Sequence, residues 1–156
     1  PLDEVFPDLA GAHPVSYQGV GLADHCQAMH QAIRQLELLP RMVAASKVLP
    51  VQALCPSDAH RAIVQGRVET VRLDSLDPTA SPRTAAVMVA PYPPGIPLLM
   101  GGEILDASSA PIVDYLRARE DFERSFPGYG GDIHGVERGE PGSDGWRPYT
   151  LMVVRD

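Results

Sequence analysis

The feature that most constrains this chain is a run of proline and glycine placed directly after an apolar segment. Residues 90–103, APYPPGIPLLMGGE, contain four prolines and three glycines. Proline fixes φ and has no N–H to donate, so the PYPPGIP part is expected not to continue a sheet ladder. The preceding residues 84–90, TAAVMVA, are short, apolar and uncharged, which predicts a strand covered on both faces. The pattern therefore predicts a buried strand that ends in a stiff turn.

Two interpretations of this turn stay open from the residues alone. Gly95 permits a backbone turn or a close approach that other residues cannot adopt. The prolines lower the conformational entropy of the unfolded loop, so that holding one shape costs less. One interpretation is a structural crossover, which is common for loops rich in proline and glycine. The other is a pre-organised wall of a pocket or an interface.

Hydrophobic periodicity and turn residues locate the remaining elements. Predicted in this way are helices over 21–39, 41–49, 55–66 and 108–126 and strands over 68–73, 133–138 and 149–154. Residues 1–20 are rich in proline and glycine and are predicted as an irregular lead-in with room for one helical turn. Pro40 is expected to interrupt the first helix.

This order of elements predicts an α+β fold. We expect a small mixed or antiparallel sheet with helices packed on one side and a C-terminal β-hairpin. A length of 156 residues suits a single domain that spans the whole chain.

Composition argues against several classes of partner. The net charge of −7 disfavours a phosphate-binding surface, so no nucleic acid is expected. No apolar run approaches the roughly 20 residues that span a bilayer, so no membrane partner is expected either. Two cysteines outside any CxxC pair, together with the lack of a signal peptide, predict a cytoplasmic protein with reduced thiols.

Metal and nucleophile sites are poorly supported by the sequence. Cys26 and His30 are four residues apart on a predicted helix, a spacing that can bind a metal from one face. Cys26 also belongs to the apolar stripe of that helix, which favours a small buried hydrophobe instead. Of 13 basic residues only Lys47 is a lysine, and its neighbours do not suggest the desolvated pocket that a Schiff-base lysine needs. No metal ligand and no catalytic residue is predicted.

Several motifs resemble a known family. PYPPGIPLLMGGE, followed by FPGYGGDIHGVER, resembles the C-terminal domain of the bacterial Orn/Lys/Arg decarboxylases, pyridoxal-phosphate (PLP) enzymes of the aminotransferase-like fold. The segments LADHCQAMHQAIRQ, CPSDAHRAIVQGRVETVRLDSL and YTLMVVRD also look like their counterparts, so the resemblance covers essentially the whole chain. Gly101 departs from the family pattern, which usually has proline there, and Cys55 stands in place of a capping Thr or Ser.

The resemblance implies an accessory domain that is not catalytic alone. In the family, PLP is held by the lysine of an S-x-H-K motif in an upstream core, and this motif is absent here. The expected partners are the PLP-binding core of the same enzyme and further copies in a homo-oligomer, and the expected substrate is lysine, arginine or ornithine. A stand-alone binding or regulatory module that kept the fold without the core is the alternative. An independent small enzyme with a His/Asp site is a third, weaker hypothesis.

The resemblance also suggests roles for particular residues. The surface nearest the cofactor domain is expected at Tyr92, Pro93, Pro94 and Gly95. Glu103 is expected either to add negative potential that favours a cationic substrate or simply to face solvent. Asp132 and His134 are predicted to form a hydrogen-bonded pair that fixes the hairpin, in preference to a catalytic role.

Overall fold

The computed structural model describes residues 1–143 and 145–155. Its helices are α1 (Leu2–Val5), α2 (Pro7–Ala12), α3 (Pro14–Tyr17), α4 (Leu22–Gln35), α5 (Leu38–Ser46), α6 (Pro56–Val64) and α7 (Ala110–Ser125). Its strands are β1 (Val68–Arg72), β2 (Arg83–Thr84), β3 (Ala90–Tyr92), β4 (Ile104–Leu105), β5 (Asp132–His134), β6 (Val136–Arg138) and β7 (Tyr149–Val154).

The strands pair in three small antiparallel sheets. The largest has the order β1-β7-β6, with Val68 opposite Val154 and Val136 opposite Leu151. The other two join β2 to β4 and β3 to β5. The predicted α+β class, the antiparallel pairing and the C-terminal hairpin β6–β7 are confirmed.

The core lies between α7 and β7. Ile112 and Leu116, one turn apart on α7, are fully buried together with Leu151 and Val153 of β7. This spacing gives α7 an apolar face that needs a covering layer, and β7 supplies it with a strand that is buried almost throughout. Helix α5 packs on α7 beside this core.

The predicted strand over 84–90 is wrong in its extent. Only Thr84 and Ala90 belong to strands, and the residues between them divide their backbone hydrogen bonds among different partners. Ala85 N donates to the carbonyl of Glu103, whereas Ala86 N donates to that of Met152. The predicted burial is confirmed in part, since Ala85, Ala86 and Ala90 are at most 4% exposed, whereas Val87 and Met88 are half-buried. The segment is thus a buried crossing between sheets.

Pro91 does not end the ladder, contrary to expectation. It lies inside β3, opposite Ile133 of β5. A two-stranded sheet consists of edge strands, where a residue without an N–H is tolerated. The ladder continues to the pair Tyr92–Asp132 and ends there.

The predicted irregular lead-in is helical instead. Pro7 and Pro14 occupy the first positions of α2 and α3, where a missing N–H costs nothing. Tyr17, at the end of α3, is 1% exposed, and its hydroxyl donates to the carbonyl of Pro127 at 2.7 Å. The lead-in is therefore docked on the loop that follows α7.

Two details of the first predicted helix are also corrected. The break comes at Glu37, which has a φ of 51°, and Pro40 lies in the first turn of α5. Cys26 is exposed, and the buried residue of α4 is its neighbour His25. Towards the end of the helix the predicted stripe is confirmed, because Met29, Ile33 and Leu36 pack in a core cluster, whereas Leu22, like Cys26, is exposed.

Candidate functional site

The proline-rich segment forms a tight loop after β3. Gly95 has a φ of +80°, and its N–H donates to the carbonyl of Pro91 at 2.8 Å, which closes the turn. The Tyr92–Pro93 and Pro93–Pro94 peptide bonds are cis. Leu98 N then donates to the carbonyl of Val89 at 2.9 Å, so the chain returns alongside the segment from which it came.

The ring of Tyr92 lies across Gly95. A Cβ atom added at Gly95 would stand 2.6 Å from Cε1 of that ring. Tyr92 is nevertheless 46% exposed, so one face of the ring contacts the turn while much of its surface stays accessible. The sequence predicted both residues as parts of one surface, and the structure brings them into contact.

An apolar groove of about 190 Å³ lies between this loop and α5. Its lining includes Pro91, Pro93, Pro94, Ile96, Met42 and Tyr115. Ile96 stands at its rim and is 61% exposed. The prolines thus form a wall of the groove, and α5 and α7 supply the opposite side.

Helix α5 extends the apolar surface beyond the groove. Met42 and Ser46 line the groove, and Leu39 and Val43 lie on the same side of the helix because each precedes one of these two residues by three positions. Leu39 is 61% exposed and Val43 46%. We call the set of Tyr92, Pro93, Pro94, Ile96, Leu39, Met42 and Val43 the proline-loop surface. Exposed apolar surfaces of this kind are typical of interaction sites.

Glu103 closes a different turn. Its Oε2 accepts from Met100 N at 2.7 Å, and its own N–H donates to the carbonyl of Met100 at 3.1 Å. The side chain is half-buried. Its described contacts connect it to the turn at residues 100–103 and, through its backbone, to Ala85 and Gln52. Those contacts do not join it to Tyr92 or Gly95.

The hydrogen-bonded pair predicted between Asp132 and His134 is not formed among the described residues. The two side chains project from the same face of β5, about 7 Å apart along the strand, and both are exposed. Strand β5 also pairs with β3 and is not one of the hairpin strands. Backbone pairing holds the segment, and it places Asp132 directly opposite Tyr92.

A polar network that the sequence reasoning missed joins α7 to the hairpin. Glu120 Oε1 accepts from Tyr149 N at 2.9 Å, and Glu123 Oε2 accepts from the Tyr149 hydroxyl at 2.5 Å. Burial and the bond to Glu123 raise the pKa of Tyr149. Arg138 pairs with Glu123 and lies 4.6 Å from the centroid of the Tyr149 ring. The sequence signal that could have revealed this network is the pair Glu120 and Glu123, which lie three residues apart among the buried residues of α7.

The network has a structural role, because its groups satisfy one another. A polar cleft of about 670 Å³ lies beside this network. Several of the side chains that line it are likewise bonded to other groups of the same chain. Arg72 pairs with Asp74, and Arg117 donates to the carbonyls of Leu73 and Leu76 at 3.0 and 2.5 Å. These side chains fix the loop after β1 to α7.

Lys47 does not fit a PLP site. It follows the last residue of α5 and is exposed to solvent, whereas a Schiff-base lysine needs a desolvated pocket that lowers its pKa. In the part of the chain that is described, no three His, Cys, Asp or Glu side chains are grouped so that they could hold a metal ion. Within residues 1–143 and 145–155, no helix combines the length and apolarity needed to cross a bilayer.

Comparison with known proteins gives consistent matches over most or all of the chain. The family model described as "Orn/Lys/Arg decarboxylase, C-terminal domain" matches residues 37–155. Lysine decarboxylase LdcA of Pseudomonas aeruginosa is 41% identical over 156 residues, which is 100% of this chain and 20% of that protein. The biodegradative arginine decarboxylase of Escherichia coli is 35% identical over 137 residues, 88% of this chain and 18% of that protein.

A solved structure shows the same fold. Lysine decarboxylase A from Pseudomonas aeruginosa superposes with a TM-score of 0.84 at 40% sequence identity, over 99% of this chain and 20% of that one. The chain therefore spans about a fifth of the length of the relatives that it matches.

Proposed function

Because the chain belongs to the family of Orn/Lys/Arg decarboxylase C-terminal domains, we propose that it is the accessory domain of a PLP-dependent decarboxylase of a basic amino acid. Lysine, arginine and ornithine are the candidate substrates, and the enzyme is a cytoplasmic homo-oligomer. The two free and exposed thiols, Cys26 and Cys55, are typical of a reducing compartment. The cofactor, held by the rest of the enzyme, supplies the electron sink for loss of CO₂.

The observation that carries the proposal is the proline-loop surface. Its side chains are exposed except for the half-buried Met42, and the backbone of its loop part is fixed by the turn at Gly95 and by the pairing of β3 with β5. Such a surface gains free energy when another apolar surface covers it, at roughly 25 cal/mol per Å². We infer that this surface contacts the PLP-binding core and shapes the entrance to its active site.

The first test concerns the activity of the whole enzyme. The reading frame that contains this chain is expected to encode an S-x-H-K-bearing core. The purified product is expected to release CO₂ from at least one of lysine, arginine and ornithine in the presence of PLP. A reading frame without such a core would instead favour a stand-alone binding module.

The second test concerns the surface, using two variants of the intact enzyme. Ile96→Glu places a charge at the rim of the groove, where Ile96 is 61% exposed. The control is Val64→Glu, because Val64 is 73% exposed on α6 and is not part of the proline-loop surface. Neither change buries a charge in the isolated chain, so neither should unfold it.

Ile96→Glu is expected to reduce decarboxylase activity at least tenfold or to shift the oligomer to smaller species in analytical ultracentrifugation. Val64→Glu is expected to leave both properties unchanged. Wild-type activity and wild-type mass in the Ile96→Glu enzyme would refute the assignment of this surface to a contact within the enzyme.

We include in the proposal that Glu103 adds negative potential for a cationic substrate. Its bond to Met100 N gives it a turn-closing role in addition. Glu103→Gln keeps an acceptor oxygen and removes the charge, whereas Glu103→Ala removes both. An electrostatic role predicts that Glu103→Gln raises KM at low salt and that high salt abolishes the difference. An unchanged KM at low salt would leave only the role in the turn.

A further inference from the structure

His25 is buried in a cage of aromatic rings contributed by separate parts of the chain. Its side chain is 5% exposed. The centroid of its ring is 5.2 Å from that of Tyr17, 5.3 Å from that of Tyr129 and 5.6 Å from that of Phe126. Its Nε2 is buried and has no hydrogen-bond partner among residues 1–143 and 145–155. A buried polar atom without a partner is rare enough to require an explanation.

The cage also holds the N-terminal segment, residues 1–20, in place. Tyr17 connects the two sides of this contact, because its ring packs on His25 and its hydroxyl donates to the carbonyl of Pro127. Leu2 and Ala10 are buried in the same cluster as Tyr17. Docking of the segment therefore depends on the ring cluster around His25.

The groups that surround His25 provide little electrostatic stabilisation for a protonated imidazole ring. The titratable groups of the cluster are Tyr17 of α3, Tyr129 after α7, and His13, whose ring lies 6.1 Å from that of Tyr17. On α4 itself, the carboxylate of Asp24 lies close to Gly21. Helix α1 of the docked segment carries Asp3, one oxygen of which is buried without a partner among the described residues, and no described contact joins it to His25. Burial lowers the pKa of His25, and no carboxylate of the described chain contributes an opposing shift.

Two effects compete when His25 takes up a proton. The surrounding rings can attract an imidazolium through their negative faces. Removing a charge from water costs more than this attraction returns when no counter-charge or acceptor replaces the water. Desolvation is the larger effect, so the protonated ring favours a state in which the cage is open.

We propose that His25 is a pH-sensitive latch whose protonation releases the N-terminal segment from the loop at residues 126–129. At a pH above about 6.5, the ordinary pKa of histidine, the ring is neutral in both the closed and the open state, and the segment is docked. As the pH falls below 6.5, the open state takes up the proton first, and each further pH unit favours opening by up to tenfold until the closed state is protonated as well.

The test is hydrogen–deuterium exchange of the full protein as expressed, read by mass spectrometry in peptides that cover residues 1–20. After correction for the intrinsic exchange rate, opening is expected to rise by up to about tenfold between pH 7.5 and pH 5.5. In His25→Phe, which keeps an aromatic ring in the cage, the change is expected to stay within about twofold. His30→Phe is the control, since His30 is exposed on the same helix and should behave as wild type.

A second measurement needs no variant. Exchange of the imidazole Cε1 proton, followed by mass spectrometry in the wild-type protein, gives the titration midpoint of His25, which is expected below about 6.5. A midpoint at or above that value would refute the latch. So would an identical pH dependence of exchange in wild type and His25→Phe.

Discussion

Gly95→Ala is the substitution that most directly probes the proline loop. Gly95 combines a φ of +80° with the ring of Tyr92 placed where a Cβ atom would go, 2.6 Å from its Cε1. The change therefore introduces a backbone strain and a side-chain clash at one position. The two contributions can be separated, because another glycine of the chain, Gly66, has the positive φ without the side-chain clash.

The magnitude follows from these two contributions. A non-glycine residue in the left-handed region costs roughly 1–2 kcal/mol. The clash adds little, because the Tyr92 ring is 46% exposed and can rotate away from the new methyl group. The free energy of unfolding is therefore expected to fall by about 1–2 kcal/mol, while the ring leaves its place on the proline-loop surface.

Gly66→Ala is the matched control. Gly66 follows α6 with a φ of +67°, and a Cβ atom there would meet nothing within 4 Å. Its cost is therefore the backbone strain alone. Urea unfolding of both variants is expected to give values that agree within about 1 kcal/mol, and the double variant Tyr92→Ala/Gly95→Ala should remove any excess in Gly95→Ala.

The functional readout should separate the two variants. In the intact enzyme, Gly95→Ala is expected to reduce activity or assembly, because it displaces Tyr92 from the surface proposed to contact the core. Gly66→Ala is expected to have no such effect at equal stability. Full activity in Gly95→Ala, or a loss of stability more than about 3 kcal/mol beyond that of Gly66→Ala, would show that the loop is not arranged as described.

Three further outcomes are expected. Glu120→Ala leaves the buried Tyr149 N–H without an acceptor and should lower the free energy of unfolding, measured in urea, by about 2–3 kcal/mol. Glu120→Gln keeps an acceptor oxygen and should lose less than half of that stability. Equal losses in the two variants would argue against the bond. Burial raises the pKa of Tyr17 to about 12, so stability should fall between pH 10 and 12 as the unfolded state ionises first, by up to about 2 kcal/mol more than in Tyr17→Phe. Matching alkaline unfolding curves would contradict this. Cys26 and Cys55 are both exposed and should react with a thiol reagent in the native chain, and protection of Cys26 would restore the predicted buried position.

The elements that the sequence predicted well are those in which local pattern and tertiary environment agree. Helices α6 and α7 and strands β1 and β7 lie within the ranges predicted for them, namely 55–66, 108–126, 68–73 and 149–154. In α4 the pattern was correct at Met29, Ile33 and Leu36 and wrong at Cys26, where the neighbouring His25 is buried among aromatic side chains instead. At His25 the covering ring of Tyr17 comes from the lead-in, a tertiary contact that the local pattern of α4 does not report.

Proline was the residue most often misinterpreted. Pro7 and Pro14 begin helices, Pro40 lies in a first helical turn, and Pro91 is part of a strand. All four positions satisfy the same local rules, namely a fixed φ and no need for an N–H donor. Those rules limit where proline can stand but do not select among the permitted positions. Tertiary pairing makes that selection, as in the pairing of β3 with β5.

The candidate site was predicted only in its local half. The contact of Tyr92 with Gly95 lies within a five-residue turn, and the proline and glycine content of the segment predicted that turn. The opposite wall of the groove comes from α5 and α7, about 50 residues before and 20 residues after the loop in sequence. The face that α5 presents to the groove is set by its packing on α7, which no local pattern reports.

The geometry of the loop bears on the choice between crossover and interface that composition left open. A crossover needs a backbone that reverses direction, and the bonds at Gly95 and Leu98 provide that. It does not need Tyr92 and Ile96 to be 46% and 61% exposed on a fixed backbone. An interface does, because ordering a mobile side chain on association costs about 0.5–1.5 kcal/mol, and a turn that is already rigid limits this cost. Apolar side chains held outward by a stiff turn are therefore better explained by a partner surface than by chain reversal alone, and Ile96→Glu in the intact enzyme tests that explanation.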